Sequence, residues 1–234
     1  MLTIGFPAAV AGTNCYVIAS AAGEECLIVD PGVGVTAQLA EILLEHRLKP
    51  AAVLLTHGHF DHVYSVTPVC GSAAVAAYIH SQDRYRLKDP LSAVDPQLIA
   101  MLEQQFGQSA TWQEPTDVVN LADGQKLTLA GFELSVLHAP GHTEGSVMFL
   151  LPNVPQGLPT DVDVRSTVLS GDVLFAGSIG RTDLAGGDGA AMNRSLRDVV
   201  LTLPDNVLVL PGHGPATTIE RERMTNPYLQ GLAT

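Results

Sequence analysis

Thr56-His57-Gly58-His59-Phe60-Asp61-His62 follows directly on the apolar run Ala51-Ala52-Val53-Leu54-Leu55. The run reads as a buried strand, and the C-terminal end of a strand is where open sheets usually place ligands. Three imidazoles and a carboxylate packed so closely make a poor core, because polar groups taken out of water without partners cost roughly 1–3 kcal/mol each. Something has to compensate, and the rest of the chain repeats the same chemistry.

Three later segments do so. The apolar Phe132–Leu137 ends in His138-Ala139-Pro140-Gly141-His142-Thr143, Thr167–Ser170 ends in Gly171-Asp172, and Val207–Leu210 ends in Pro211-Gly212-His213-Gly214. Each sets a His or Asp on a glycine-containing turn after a strand, where glycine lets the backbone bend sharply and approach a ligand closely. Together His57, His59, Asp61, His62, His142, Asp172 and His213 offer imidazoles and carboxylates with no thiolate among them. That donor set suits Zn, Fe, Mn or Ni. Residues two apart in an extended loop project to the same side, so His57 and His59 can grip one ion. Asp61 and His62 are neighbours that point apart and can face a second. The whole set suits two divalent cations sharing a bridging carboxylate and a bridging hydroxide, with a small net positive charge. Such ions lower the pKa of bound water from 15.7 to about 7 in the best case, which supplies a nucleophile for an electrophilic carbon.

The 234 residues, 46% hydrophobic, are expected to form a single domain over 1–234. Aromatic residues make up only 5%, so the core rests on Val, Leu, Ile and Ala, as in an α/β or α+β protein with short buried strands. The formal charge of −12, with no basic run, argues against nucleic acid as a partner. No apolar stretch approaches the roughly 18–20 residues of a membrane helix, and no basic leader precedes the apolar start, so a cytoplasmic location is expected. Cys15, Cys26 and Cys70 are odd in number and widely spaced, as befits thiols in a reducing compartment.

Along the chain, Cys15–Ser20 and Cys26–Asp30 read as a hairpin ending in the turn Asp30-Pro31-Gly32. Leu39, Ile42, Leu43 and His46 follow helical spacing that stops before Pro50. Ala73–Ala77 is a further apolar run, and Asp95 with Pro96 opens a helix toward Phe106. Asp117–Leu121, Lys126–Leu129, Phe132–Leu137 and Ser146–Leu151 read as an antiparallel meander. The proline-bearing stretch 152–166 reads as an exposed hairpin excursion. Helical residues 190–202, strand Val207–Leu210 and a helix opened by the capping box Thr217-x-x-Glu220 close the chain. The repeated order of strand, ligand-bearing loop and helix predicts a layered sandwich with its sites at one edge.

At these seven positions the chain resembles the metallo-β-lactamase superfamily, whose pattern of HxHxDH and then a distant His, Asp and His is matched throughout. The resemblance spans Asn14 to Leu229. It implies an α+β fold, the αβ/βα four-layer sandwich, with His57, His59 and His142 on the first metal, Asp61, His62 and His213 on the second, and Asp172 bridging. Within the superfamily, Pro140-Gly141-His142-Thr143, Gly180-Arg181-Thr182-Asp183 and Asn226-Pro227 look most like the glyoxalase II-type thioester hydrolases. The same segments are similar to persulfide dioxygenases, which keep one iron on two His and one Asp, matching His57 or its neighbour, His142 and Asp172. The loop Pro211-Gly212-His213-Gly214 looks like the hydrolase form and favours two metals. The chain stops soon after Asn226-Pro227 and no basic residue follows Arg223, so glutathione is not the expected thiol carrier.

The expectation is therefore a hydrolase with two divalent ions, zinc first and Fe or Mn next, cleaving a small hydroxyacyl thioester. Asp61 and Asp172 are the candidate catalytic carboxylates. The alternatives are a mononuclear iron persulfide dioxygenase and a lactonase or other ester hydrolase of the same fold. Phe175, Ser178, Ile179 and Arg181 follow Asp172 on its loop and are candidate substrate residues. Loop packing accounts equally well for the first three, and an Arg181–Asp183 pair shaping the loop is favoured over substrate contact. His138 is expected to support the site without joining it, His46 and His80 to lie at the surface or in local hydrogen bonds, and Asn14 and Tyr16 to serve the first hairpin. Tyr64 is equally open to either role.

Overall fold

The computed structural model describes residues 1–92, 94–106, 113–158 and 163–232. Two mixed six-stranded sheets face each other. The first runs in chain order through β1 (Leu2–Pro7), β2 (Asn14–Ala19), β3 (Glu25–Val29), β4 (Lys49–Leu54), β5 (Ala77–His80) and β6 (Val118–Leu121). The second holds β7 (Lys126–Leu129), β8 (Phe132–His138), β9 (Val147–Leu151), β10 (Ser166–Gly171), β11 (Val207–Pro211) and β12 (Thr217–Thr218), again as neighbours in chain order. Pairing is antiparallel from β1 to β3 and parallel from β3 to β6; in the second sheet only β10 and β11 are parallel.

Helices α1 (Thr36–Glu45), α2 (Phe60–Val63), α3 (Val66–Ala73) and α4 (Pro96–Phe106) belong to the first half; α5 (Gly189–Asp198), α6 (Ile219–Thr225) and α7 (Pro227–Gln230) belong to the second. Strand alternation creates the layers. Tyr16, Ile18, Leu27, Val29 and Leu54 point between the sheets, where they meet Leu134, Val136, Phe149, Leu151 and Leu169. Their chain neighbours Val17, Ile28 and Val53 point outward to Leu39, Ile42, Val66 and Val69 of α1 and α3. On the other outer face Met148, Val168 and Val209 pack against Met192, Leu196, Ile219 and Leu229. This is the αβ/βα sandwich, with three apolar clusters separating four layers.

Two register irregularities occur in strands that lead to the site, the first at the start of β4 and the second immediately before Asp172. Cys26 pairs with Pro50 and Leu27 with Ala52, leaving Ala51 as an extra residue beside the proline. Leu169 pairs with Leu210 and Gly171 with Pro211, leaving Ser170 over just before Asp172. Such bulges re-aim the side chains that follow.

Four expected elements differ. Asp117–Leu121 does not open a meander: β6 pairs in parallel with β5 in the first sheet, and the antiparallel run begins at β7. The apolar stretch Ala73–Ala77 straddles two elements, because Ala74 adopts a left-handed conformation (φ 54°) that ends α3 before β5 starts. The last capping box is shifted by one residue: Thr218 caps α6 through the Arg221 amide, and Thr217 donates instead to the buried Glu222. The span 190–202 divides into α5 and a 3₁₀ turn over Val200–Thr202. β9 and β10 pair antiparallel across the 152–166 stretch, whose central residues lie outside the described ones; there the Met1 ammonium donates to the Val154 carbonyl. Among the described residues no helix is long and apolar enough to cross a membrane.

Candidate metal centre

The seven singled-out side chains meet at one edge of the sandwich. His57 and His59 leave β4 on an extended loop, and Asp61 and His62 lie on the short α2. His142 follows β8, Asp172 follows β10 and His213 follows β11. His57 Nε2, His59 Nδ1 and His142 Nε2 form a triangle with edges of 3.2, 2.8 and 3.2 Å. Asp61 Oδ2, His62 Nε2 and His213 Nε2 form a second, with edges of 3.5, 3.3 and 3.3 Å. Asp172 lies between them: Oδ1 is 3.4 Å from His62 Nε2, while Oδ2 is 3.4 Å from His142 Nε2 and 3.5 Å from His213 Nε2.

These spacings fit a cation. Donors held tetrahedrally at 2.0–2.1 Å from zinc stand about 3.3 Å apart. Asp172 Oδ1 is buried and accepts no hydrogen bond among the described residues, a costly arrangement for a carboxylate oxygen unless a cation satisfies it. The close approach also needs glycine: a side-chain carbon on Gly212 would run into Asp172 Oδ1 and His62. At Gly171 a left-handed φ of 50° and contact with Thr56 exclude other residues for the same reason.

Each ring is fixed from behind by a group that takes its second nitrogen or its loop. Asp30 takes His62 Nδ1 at 3.0 Å, the Thr56 amide at 2.8 Å and the Thr56 hydroxyl at 2.6 Å. His142 Nδ1 is 2.7 Å from the Arg181 carbonyl, which fixes that nitrogen as the donor. The Thr13 hydroxyl donates to Asp61 Oδ2 at 2.8 Å. Asp83, fully buried, accepts from the Gly58 and Gly145 amides at 2.8 and 2.9 Å and from the Thr143 hydroxyl at 2.7 Å. It thereby ties the first histidine loop to the loop of His142.

Burial, reinforced by the neighbouring His62, holds His57 well below its usual pKa, and burial with His142 brings His59 down to about 3. Both are free bases at neutral pH with lone pairs available. Burial opposes charge on His62, but Asp172, Asp61 and Asp30 outweigh it and push the ring up to about 10. Burial raises the Asp61 carboxyl too, yet His62, His213 and Thr13 hold it well below the carboxylate range. Asp172 is raised, chiefly by burial. The carboxylates thus demand positive charge at this spot, a demand a divalent cation meets.

The remaining candidates divide. Phe175 stands edge-on to His213, ring centres 5.9 Å apart, on a turn closed by the Phe175–Ser178 bridge. Glu222 takes the Gly177 amide and Asn226 donates to the Ser178 carbonyl, so the Asn226-Pro227 segment holds that turn. Ile179 packs against the outer apolar cluster. Arg181 pairs with Asp183 through two bonds of 2.7 Å and lines a cavity beside His59 and Asp61. His138 faces away, stacked on His80 at 4.1 Å, with Nε2 on the Glu144 carbonyl. His80 is buried rather than at the surface, and its ring accepts from the Gln82 amide. Tyr64 forms the C-cap of α2, and His46 that of α1.

Sequence reasoning missed Asp30 and Asp83 and underrated Asn14 and Tyr16. These last two are more than hairpin residues: Tyr16 Oη and Asn14 Nδ2 donate to the Pro211 carbonyl at 2.8 and 3.0 Å, and Asn14 also to the Gly214 carbonyl, bracketing His213. Their spacing of two on one strand face was the available signal. Nothing local marks Asp83.

Fold and site together define a metallo-hydrolase class whose His and Asp clusters are consistent with a dinuclear metal site. Residues 9–213 match the metallo-beta-lactamase superfamily, and the chain belongs to that family. It is 45% identical, over all of both chains, to an uncharacterized protein of Mycobacterium tuberculosis (strain ATCC 25618 / H37Rv). It is 36% identical to the "Probable metallo-hydrolase YqgX" of Bacillus subtilis (strain 168), over 94% of this chain and 93% of that one. With the hydroxyacylglutathione hydrolase GloC of Haemophilus influenzae it shares 31% identity over 88% of each. Among solved structures, the BLEG-1 B3 metallo-beta-lactamase superposes with a TM-score of 0.79 at 36% identity, covering 98% of this chain and 100% of that one. TTHA1623 in a di-iron-bound form gives 0.73 at 34%, covering 97% and 100%.

Proposed function

We propose that the chain hydrolyses a hydroxyacyl thioester, with His57, His59 and His142 holding one divalent ion, Asp61, His62 and His213 another, and Asp172 shared between them. The observation that carries the two-ion reading is the pair of inward-facing triangles with the Asp172 carboxylate between them, Oδ2 near His142 of the first and His213 of the second and Oδ1 near His62 of the second. When bound, the ions supply activated water at neutral pH and positive charge for the developing oxyanion. Zinc suits a site built of imidazole and carboxylate, and the di-iron form of TTHA1623 supports iron as the other candidate.

The chain's own groups do the rest. Asp30 and the Arg181 carbonyl engage Nδ1 of His62 and His142, which leaves Nε2 of each ring as the atom facing the site; on His62 a divalent cation would replace the proton that the surrounding carboxylates hold there. Thr13 orients Asp61, leaving that carboxylate aimed at the site rather than turned to water. A thiolate departs without needing a proton, which agrees with a cluster in which every ionisable side chain is occupied as a ligand candidate or its support. The likeness to the hydrolase GloC supports the thioester class. The test is hydrolysis of a hydroxyacyl thioester before and after chelation, with activity returning on zinc addition. Turnover unaffected by chelation overturns the proposal.

The likeness to BLEG-1 supports a second reading, hydrolysis of a β-lactam amide at the same centre. Cleavage of a β-lactam at a higher kcat/KM than any thioester selects it.

A further inference from the structure

A cavity of about 640 Å³ is lined by His59 and Asp61 together with residues of the Tyr85–Leu98 segment, Arg181 and Leu184. Phe60, Pro90, Val94, Leu98 and Leu184 give it a largely apolar wall. Its two arginines are already matched. Arg86 Nη2 donates to Glu144 at 2.6 Å and to the Ala185 carbonyl at 2.9 Å, its Nε lies 3.4 Å from Asp83, and the guanidinium rests 5.0 Å from the Tyr85 ring centre. Arg181 is held by both oxygens of Asp183. Two further acids of the lining have no such partners: among the described residues Asp89 makes no ion pair, and the Asp95 side chain is engaged only by the Gln97 amide at the start of α4.

The cavity therefore offers apolar contact together with the unmatched negative charge of Asp89 and Asp95. A carboxylate-bearing thiol would have to leave water for a wall whose cations are spoken for, while facing Asp89 and Asp95. Resting on the thioester reading above, we infer that the thiol half of the substrate is an apolar group without negative charge, seated in this cavity against the wall that carries Asp89 and Asp95.

The test uses the zinc-loaded full chain and one hydroxyacyl group esterified to three thiols: a neutral alkyl thiol, a thiol bearing a quaternary ammonium, and glutathione. The neutral and cationic thioesters should exceed the glutathione thioester in kcat/KM by about tenfold or more, mainly through KM. Asp89→Lys should narrow that ratio by about threefold or more, because it replaces a repulsive charge with an attractive one. A glutathione thioester that matches or beats the others, or a ratio unmoved by Asp89→Lys, overturns this inference alone. No turnover of any of the three overturns the thioester reading with it.

Discussion

The Gly58 amide donates to Asp83 Oδ2 at 2.8 Å, so a residue between two candidate ligands hangs on a carboxylate that is not itself a candidate ligand. The same carboxylate holds Gly145 and Thr143 on the loop of His142. Asp83→Asn puts a donor where amide and hydroxyl donors converge. The expected cost is about 2–4 kcal/mol, since a buried carboxylate network loses an acceptor and the Arg86 pairing together. Denaturant unfolding reads the loss, and a change below about 0.5 kcal/mol contradicts the role given to Asp83.

Among the described residues Asp30 makes no hydrogen bond to the lining of the cavity beside His59, but it fixes His62 and Thr56. Asp30→Asn should leave the fold assembled while lowering metal affinity about 10–100-fold, the usual consequence of losing the group behind a ligating histidine. Titration against a competing chelator measures it. Affinity equal to wild type removes Asp30 from the supporting set.

Tyr16→Phe removes one of the two side-chain donors on the Pro211 carbonyl while keeping the ring that packs between the sheets. A loss of about 1 kcal/mol is expected. Asn14→Leu also frees the Gly214 carbonyl, so the His213 loop should respond more strongly in metal retention. Equal metal content in both variants and wild type counts against Asn14 and Tyr16 as holders of that loop.

His138→Ala tests the division between the site and its surroundings. The ring stacks on His80 and reaches the Glu144 carbonyl without approaching a candidate ligand. Metal content and turnover should stay close to wild type, with a stability loss of about 1 kcal/mol. Damage as severe as that of Asp172→Ala shows that the ligand assignment is wrong.

The candidate site was legible in the sequence because its donors lie on turns directly after apolar strands, a pattern that needs no distant information. The repeated order of strand, ligand-bearing loop and helix likewise announced the layers. What escaped was decided at long range. β6 has the length and composition of a meander strand, and only its partner β5 assigns it to the first sheet. Leu2–Pro7 escapes a reading of the sequence as a strand, since only Phe6 among its residues is buried and its identity comes from pairing with β2. The shifted cap arises because Thr217 is taken by the buried Glu222, leaving Thr218 to cap α6. Asp83 is an ordinary surface residue by spacing, and becomes the link between two loops only once the fold brings Gly58 and Gly145 to it.

Elemental analysis of the chain purified without added metal, alongside His59→Ala and Asp172→Ala, addresses the centre itself. Two divalent ions per chain, or about that number, falling sharply in both variants together with thioester turnover, is the predicted result. A wild-type chain that turns over its substrate with no ion bound, or an Asp172→Ala chain that keeps its full complement of metal and activity, contradicts it.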